Sequence, residues 1–215
     1  MPAMPAMPGI LPSAHDTGVP PVRPLCAPRT PLGWRKDPPP SEGEAAMTEP
    51  TAGRPHMPGY GIRPADEGTG LLSWEWAEKR LTGSHDYWVC SVRPDGRPHT
   101  MPVWGVWLDG AFWFSSSVSS RKMRNLAERP DCVVTTEDPR DPVVLEGRAE
   151  PTADRAEIAG FLAALNAKYS VAYGIGFLDP AVNATVRVRP AQAIGLLHTD
   201  FRGSPTRWRF TDGED

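Results

Sequence analysis

Apolar residues recur at spacings of three and four from Ser73 onward, with Trp74, Ala77 and Leu81 on one stripe behind a serine suited to cap a helix. The pattern then changes to strand character. Tyr87 to Arg93 (YWVCSVR) reads as a strand, Pro94-Asp95-Gly96-Arg97 as a turn, and Pro98 to Leu108 (PHTMPVWGVWL) as a longer strand. Asp109-Gly110 is a hairpin signal and Ala111 to Ser116 follows as a third strand, so the three make an antiparallel meander. Arg121 to Glu128 reads as a helix stopped by Pro130, after which Cys132 to Glu137 and Val143 to Glu150 pair across the turn DPRDP. The longest helix runs from Ala153 to Tyr169, with Ile158, Phe161, Leu162, Leu165 and Tyr169 on one face and Asp154 and Glu157 at its start. Two last strands, Thr185 to Val188 and Ala193 to His198, precede Arg207-Trp208-Arg209-Phe210. Short strands joined by hairpin turns predict a mainly β fold, an antiparallel sheet closed into a small barrel with helices in the connections. There is no regular βαβ alternation, which argues against a doubly wound sheet.

Composition separates this region from what precedes it. Of the 26 prolines in 215 residues, sixteen fall in the first 64 positions, where apolar periodicity is also lost. Such a stretch cannot bury enough surface to offset the entropy of ordering its backbone, so it is expected to be a disordered lead to one domain. No run of apolar residues approaches the roughly 18 that a spanning helix needs. A secretory signal is not expected either, because Pro2, Pro5, Pro8, Pro12 and Pro20 interrupt the first twenty residues, which also lack a basic start. Cys26, Cys90 and Cys132 are odd in number and without metal-like spacing, which fits a reducing cytoplasm. A net charge of -3 does not point to nucleic acid. Four lysines stand against nineteen arginines, the balance of GC-rich coding. Met47 and Met57 lie just before the composition becomes globular, and the native product is expected to begin at one of them.

Two segments carry candidate chemistry. In FWFSSSVSSRKMRNL, residues 112–126, a strand ends in five serines and leads into a helix whose first turn holds Arg121, Lys122 and Arg124. A helix N-terminus already carries partial positive charge and unpaired N–H donors, so cations there call for an anion. Serine hydroxyls, main-chain N–H groups and cationic side chains would cradle a phosphate. The plainer alternative makes the serines a cap and turn, with the basic side chains in water. In the second segment, His99 to Trp107, alternation puts Met101, Val103, Gly105 and Trp107 on one face and Thr100, Pro102, Trp104 and Val106 on the other. Gly105 marks a place where a ligand, such as a flat ring, or another backbone comes close, and Pro102 marks a bulge or an open edge. Here the alternative is that Trp104 and Trp107 are plain barrel core.

Other motifs are absent. The five histidines have no zinc-helix spacing, so no metal site is expected. Cys90 and Cys132 lie within strands and are expected to be buried rather than reactive. There is no G-x-S-x-G elbow, Walker loop or G-x-G-x-x-G. Arg187, Arg189, Arg202, Arg207 and Arg209 could line a nucleic-acid groove, yet arginine is this chain's usual cation, and they are read as solvated.

The run FWFSSSVSSRKMRNL, preceded by RPDGRPHTMPVWGVWLDG, resembles the pyridoxamine 5'-phosphate oxidase-like split β-barrel family, in particular its flavin/deazaflavin oxidoreductase branch. The resemblance spans residues 57 to 211. It implies a lead of 1–56 outside the domain and a tail of 212–215. It also implies a homodimer of split barrels with FMN or coenzyme F420 in a groove at the subunit interface. Ser120, Arg121 and Lys122 match the family's phosphate-holding element, followed by Asn125 in the S-R-K-x-x-N-L pattern, and Ser115 and Ser116 match its strand-end hydroxyls. Met101, Pro102, Val103 and Trp104 match the strand that lies against the ring. The helix and strand together look more like the deazaflavin branch, so F420 is the expected cofactor and FMN the alternative. Oxidation of pyridoxamine phosphate itself is not expected, because the chain ends GSPTRWRFTDGED where those oxidases carry R-x-H and R-L-x-P elements. The activity implied is hydride transfer between the cofactor and a small organic substrate. No catalytic side chain is required, since the cofactor does the chemistry. A non-catalytic holder of a flavin, haem or other planar ligand is the competing class.

Overall fold

A computed structural model describes residues 49–210. Its strands are β1 (Thr51–Gly53), β2 (Asp86–Val92), β3 (Pro98–Leu108), β4 (Ala111–Ser117), β5 (Asp131–Thr136), β6 (Val143–Thr152), β7 (Asn183–Gly195) and β8 (Thr206–Arg209). The helices are α1 (Trp74–Gly83), α2 (Arg121–Glu128) and α3 (Arg155–Tyr169), with short 3-10 turns at Ile175–Leu178 and His198–Asp200. The sheet order is β1-β8-β7-β4-β3-β2-β5-β6, and β6 also pairs with β7, so β2 to β7 close into an antiparallel barrel. β8 and β1 extend the sheet from β7.

Alternation along the strands fills the barrel. Tyr87, Val89, Phe112, Phe114, Val134, Leu145, Val186 and Val188 are fully buried in one cluster. α1 adds Trp74, Ala77 and Leu81, and α2 adds Met123 and Leu126. Outside the wall, α3 lays Ile158, Phe161 and Leu165 over Val106 and Trp113, forming a second core. The β3–β4 hairpin turns through Asp109 and Gly110, whose φ values of 49° and 67° are the left-handed pair that a two-residue type I′ turn requires.

Two expectations change. Thr185 to Val188 and the first half of Ala193 to His198, read as separate strands, lie in the single 13-residue β7, which ends at Gly195, and His198 instead opens a 3-10 turn. Pro190 bends it rather than dividing it: Gly147 of β6 faces Pro190 and Glu146 faces Gln192, which leaves Ala191 as a bulged residue. The bend lets one edge of β7 serve β4 first and β8 afterwards. Gly105 is explained by the protein itself, because a Cβ there would run into the Phe112 ring and the Trp113 carbonyl; no ligand is needed.

The N-terminal boundary also moves. Residues 1–48 and 211–215, which hold most of the expected lead and tail, lie outside the described residues. Residues 49–56 were placed in the lead, yet Thr51–Gly53 pairs with Arg207–Arg209. Next to it, the Arg54 guanidinium donates to the carbonyls of Pro205 (2.8 Å), Pro64 (2.8 Å) and Gly203 (3.0 Å), tying the loop before α1 to the loop before β8. We expect Arg54→Ala to lower stability by about 2 kcal/mol, since charge-assisted bonds to carbonyls are lost while part of the site is open to water. Thermal unfolding should show the melting temperature falling by roughly 4–8 °C. An unchanged value would mean that water serves these carbonyls equally well. No helix among the described residues is long and apolar enough to cross a membrane.

Candidate functional site

The register of the sheet creates an opening. β3 and β4 pair only from Gly105–Leu108 to Ala111–Phe114. Beyond that, β3 keeps β2 as its partner and Ser115–Ser117 keep β7, so the two strands diverge and leave facing edges unpaired. Pro102 lies in this stretch, opposite Trp88 of β2 and with no partner on the β4 side, as a residue without an N–H can.

α2 starts where β4 leaves the split. Ser120 caps it, its Oγ accepting from the Met123 N–H at 3.2 Å, and the Ser116 hydroxyl lies 3.1 Å from that of Ser120. The first turn has no acidic residue and still carries N–H donors that no intrahelical carbonyl can meet. Arg121 and Arg124 are exposed, whereas Lys122 is only 7% exposed. Burial pulls the Lys122 ammonium down to about 8. Its Nζ lies 5.4 Å from the Phe114 ring, and no ion pair among the described residues involves Arg121, Lys122 or Arg124. A buried cation without a counter-charge is costly, and a bound anion would relieve that cost.

A pocket of about 220 Å³ opens here, lined by Pro102, Val103, Trp104, Ser115, Lys122, Leu165 and Phe177. Of the residues expected at the site, Pro102, Val103, Trp104, Ser115 and Lys122 therefore share one pocket. Val103 turns its side chain into the barrel core. Met101 is half-exposed on the same strand, and Ser116 and Ser120 hold the turn that delivers Lys122. Asn125 is a correction: it is fully buried, its amide donating to the Ser91 Oγ at 3.0 Å, and it braces α2 against β2. The two tryptophans separate as well. Trp107 packs on Trp74 and donates to Glu78, while Trp104 is 41% exposed with one face stacked on Tyr169, centroids 4.4 Å apart and planes 9° apart.

That stack is anchored in the backbone. β2 begins at Asp86, opposite Trp104, and one position before it the Tyr169 hydroxyl takes the place of ladder bonds to Gly105. It accepts from the Gly105 N–H at 2.8 Å and lies 2.7 Å from the His85 carbonyl. Lys168 Nζ donates to the Gly105 carbonyl at 3.1 Å and to the Tyr87 hydroxyl at 2.6 Å. Burial pushes the Tyr169 phenol up to about 12 and pulls Lys168 down to about 8. Tyr169, Leu165 and Phe177 were not anticipated as site residues. Leu165 cannot be told from the core stripe of α3, and Phe177 sits in a stretch without periodicity.

The sequence model of the pyridoxamine 5'-phosphate oxidase family matches residues 75–197. The chain belongs to this family. The antiparallel barrel with its split between β3 and β4 agrees with the split-barrel architecture. Among solved structures, an F420 reductase is 24% identical over 54% of this chain and 94% of its own, with a TM-score of 0.46. A conserved hypothetical protein from Mycobacterium tuberculosis is 19% identical over 64% and 85%, with a TM-score of 0.52. A heme binding protein from Mycobacterium smegmatis is 20% identical over 60% of each chain, with a TM-score of 0.44. At these identities the likeness is one of fold. No curated protein matches the chain.

Elsewhere in this split barrel, several charges are answered within the chain. A wider concavity of about 620 Å³ along β2, β5, β6 and β7 includes Glu146, Arg148, Glu150 and Arg189. Arg189 pairs with Glu150 at 3.0 Å, Arg148 lies 3.8 Å from Asp131 and Gln192 serves Glu146, so no buried charge waits there for a ligand. Arg187 likewise bridges Glu150 and Glu157 rather than facing a nucleic acid. Cys90 and Cys132 are free thiols, and burial holds the Cys132 thiol up at about 12, far from a reactive thiolate. Among the described residues no cluster of three His, Cys, Asp or Glu side chains is arranged to hold a metal.

Proposed function

We propose that this family member is an oxidoreductase that holds a phosphate-bearing planar cofactor, coenzyme F420 or alternatively FMN, in the split between β3 and β4. There a hydride would pass between the cofactor and a small organic substrate. One observation carries the proposal: Lys122 is buried, cationic and unpaired at a helix N-terminus, in a pocket that Trp104 also lines. A phosphate would take Lys122 Nζ, the Ser115 hydroxyl and first-turn N–H groups as donors, with Arg121 at the rim. The main chain of residues 101–104 would lie along the ring, where Pro102 removes an N–H that would otherwise lack a partner.

When bound, such a cofactor supplies the hydride chemistry, and the chain positions it and balances its charge. Support for F420 comes from donors beyond Lys122. Arg93 Nε and His99 Nδ1 are buried without partners, and the His99 imidazole is held below its usual pKa by burial and by Arg93, Arg121 and Lys122. Such a cluster suits a ligand with more than one anionic group. Arg80 is not free for an anionic ligand, being engaged by Asp141 at 2.9 Å and lying over Trp76. A haem suits the lining less, because it offers no His, Cys, Met or Tyr to an iron.

Half-exposed Trp88, Met101, Ile175 and Val182 suit a second copy of the chain covering the groove, and the free cysteines suit a reducing cytoplasm. Fluorescence titration of cofactor-free protein with F420 and FMN, followed by turnover with a panel of enones and quinones, tests the proposal. Binding with turnover, F420 tighter than FMN, is the expected result. Binding without turnover would make the protein a carrier, and failure to bind either would remove the cofactor assignment.

A further inference from the structure

At the mouth of the split, side chains keep one rung of the β2–β3 ladder apart. Hydrogen-bonded pairs recur at every second residue from the hairpin end, where the Arg93 N–H donates to the Arg97 carbonyl at 2.9 Å. Counted in that phase through the register, His85 and Gly105 are the next such pair beyond Tyr87 and Val103. No direct bond joins them. The Tyr169 hydroxyl stands between the two chains, accepting from the Gly105 N–H at 2.8 Å and donating to the His85 carbonyl at 2.7 Å. Lys168 Nζ donates to the Gly105 carbonyl at 3.1 Å, and the Glu137 carboxylate accepts from the His85 N–H at 2.8 Å. Every main-chain group of the rung is thus met by a side chain. The same alternation turns the polar main-chain groups of Pro102 and Trp104 the other way, toward the split. Because the Trp104 ring also stacks on Tyr169, one residue of α3 fixes both the indole and the peptide beside it. Lys168 donates to the Tyr87 hydroxyl at 2.6 Å, and that hydroxyl donates to the Leu81 carbonyl of α1. Tyr87 is fully buried, so the clamp is tied to the core.

We infer that Tyr169 and Lys168 are positioning residues: by holding the His85–Gly105 rung apart they set the ring and main chain of Trp104 at the edge of the pocket, an assignment that rests on the cofactor reading of the split. The barrel itself does not need the spread rung, since β2 to β7 close without it. Without the Tyr169 hydroxyl, the Gly105 N–H and the His85 carbonyl can bond directly, so no main-chain group need stay unpaired. That closure draws Gly105 toward β2 and takes Trp104 with it. The fold then keeps its hydrogen bonds while the groove loses its shape. Lys168 has no carboxylate partner among the described residues, and its amine donates whether or not it carries the extra proton, so its hold on Gly105 does not require a charge.

The test compares the full chain with Tyr169→Phe, Lys168→Met, Lys168→Arg and Tyr87→Phe. Each is read by thermal unfolding, by titration with F420 and FMN, and by acrylamide quenching of Trp104, taken as the difference from the same protein carrying Trp104→Phe. Tyr169→Phe keeps the ring and removes the hydroxyl, and should weaken cofactor binding by about tenfold and raise Trp104 quenching. Its melting temperature should stay within roughly 2 °C of wild type. Lys168→Met should lose about as much affinity, and Lys168→Arg, which keeps a donor, should recover most of it. Tyr87→Phe removes a hydroxyl from the same junction but none from the rung, so the melting temperature should fall by roughly 4 °C with affinity within about twofold. Affinity that tracks the melting temperature across these variants, or an unchanged affinity in Tyr169→Phe, would overturn the assignment. If the wild type binds neither cofactor, the cofactor reading falls by itself and the quenching decides. A rise in Tyr169→Phe but not in Tyr87→Phe would keep Tyr169 and Lys168 as the residues that set Trp104, and any other pattern would remove them.

Discussion

Replacing Lys122 with methionine is expected to weaken binding of a phosphate-bearing cofactor by about ten- to a hundredfold while raising the melting temperature of the empty protein. The two effects have opposite signs for one reason. With the site empty, Lys122 is 7% exposed, and its ammonium meets no carboxylate and is already pulled toward neutrality by burial. Methionine is unbranched, like lysine, and can occupy the same channel without a charge. Removing an uncompensated buried cation should stabilise the fold by about 1 kcal/mol, or roughly 2–4 °C. With the site occupied, the same side chain supplies a charge-assisted bond worth roughly 1.5–3 kcal/mol, and that is lost. Arg121→Ala, at an exposed position, should weaken binding without moving the melting temperature. Thermal unfolding of the empty variants and titration with F420 and FMN check both halves. If affinity and melting temperature fall together in Lys122→Met, Lys122 is a packing residue and the anion assignment is lost.

Lys122 also shows how far the chain could be read without coordinates. The bounds of β3 and α2 are those the sequence predicts, because each is punctuated locally: Pro98 and Asp109-Gly110 for the strand, Ser120 and Pro130 for the helix. The need for an anion followed from the same local facts, three cations in the first turn of a helix. Which of the three is buried did not, because Arg121 and Lys122 are neighbours in sequence and differ only in what α2 packs against. Asn125 was assigned to the groove from its place in a pattern and instead meets Ser91, 34 residues away. The two halves of β7 merge through a bulge that exists only in its pairing with Gly147. Phe177 lines the pocket, and Tyr169 backs Trp104, through contacts between α3, the turn after it and the start of β2, and the helical period alone does not specify these contacts. The distinction between Trp104 and Trp107 was open for the same reason, as both sit on one strand and different neighbours decide their exposure.

Affinity for a phosphate-bearing ligand is expected to be flat below about pH 8 and then to fall, by at most about tenfold per pH unit, as the medium becomes more alkaline. The sign follows from linkage. Burial lowers the Lys122 pKa in the empty site to about 8, and a bound anion favours the charged amine and raises it. Below pH 8 the empty site is already charged and binding takes up no proton. Above it, the empty site has lost its proton and binding must recover one, so protons are taken up and the apparent affinity declines. Other groups do not produce this window. A phosphate monoester completes its second ionisation near pH 6, arginines stay charged, and His99, held below its usual value, is neutral throughout. Lys168 is the exception, because burial holds it near 8 as well, but the Tyr87 hydroxyl and the Gly105 carbonyl engage its amine. Calorimetry in two buffers of different ionisation enthalpy at pH 8.5 reads the proton uptake directly, and Lys122→Arg separates the two lysines. A guanidinium cannot lose its proton in this range, so the arginine variant should bind without proton uptake and with a flat profile to pH 9.5. Uptake that persists in Lys122→Arg would assign the titration to Lys168, and a wild-type profile that stays flat above pH 8 would mean that the anion does not sit at Lys122.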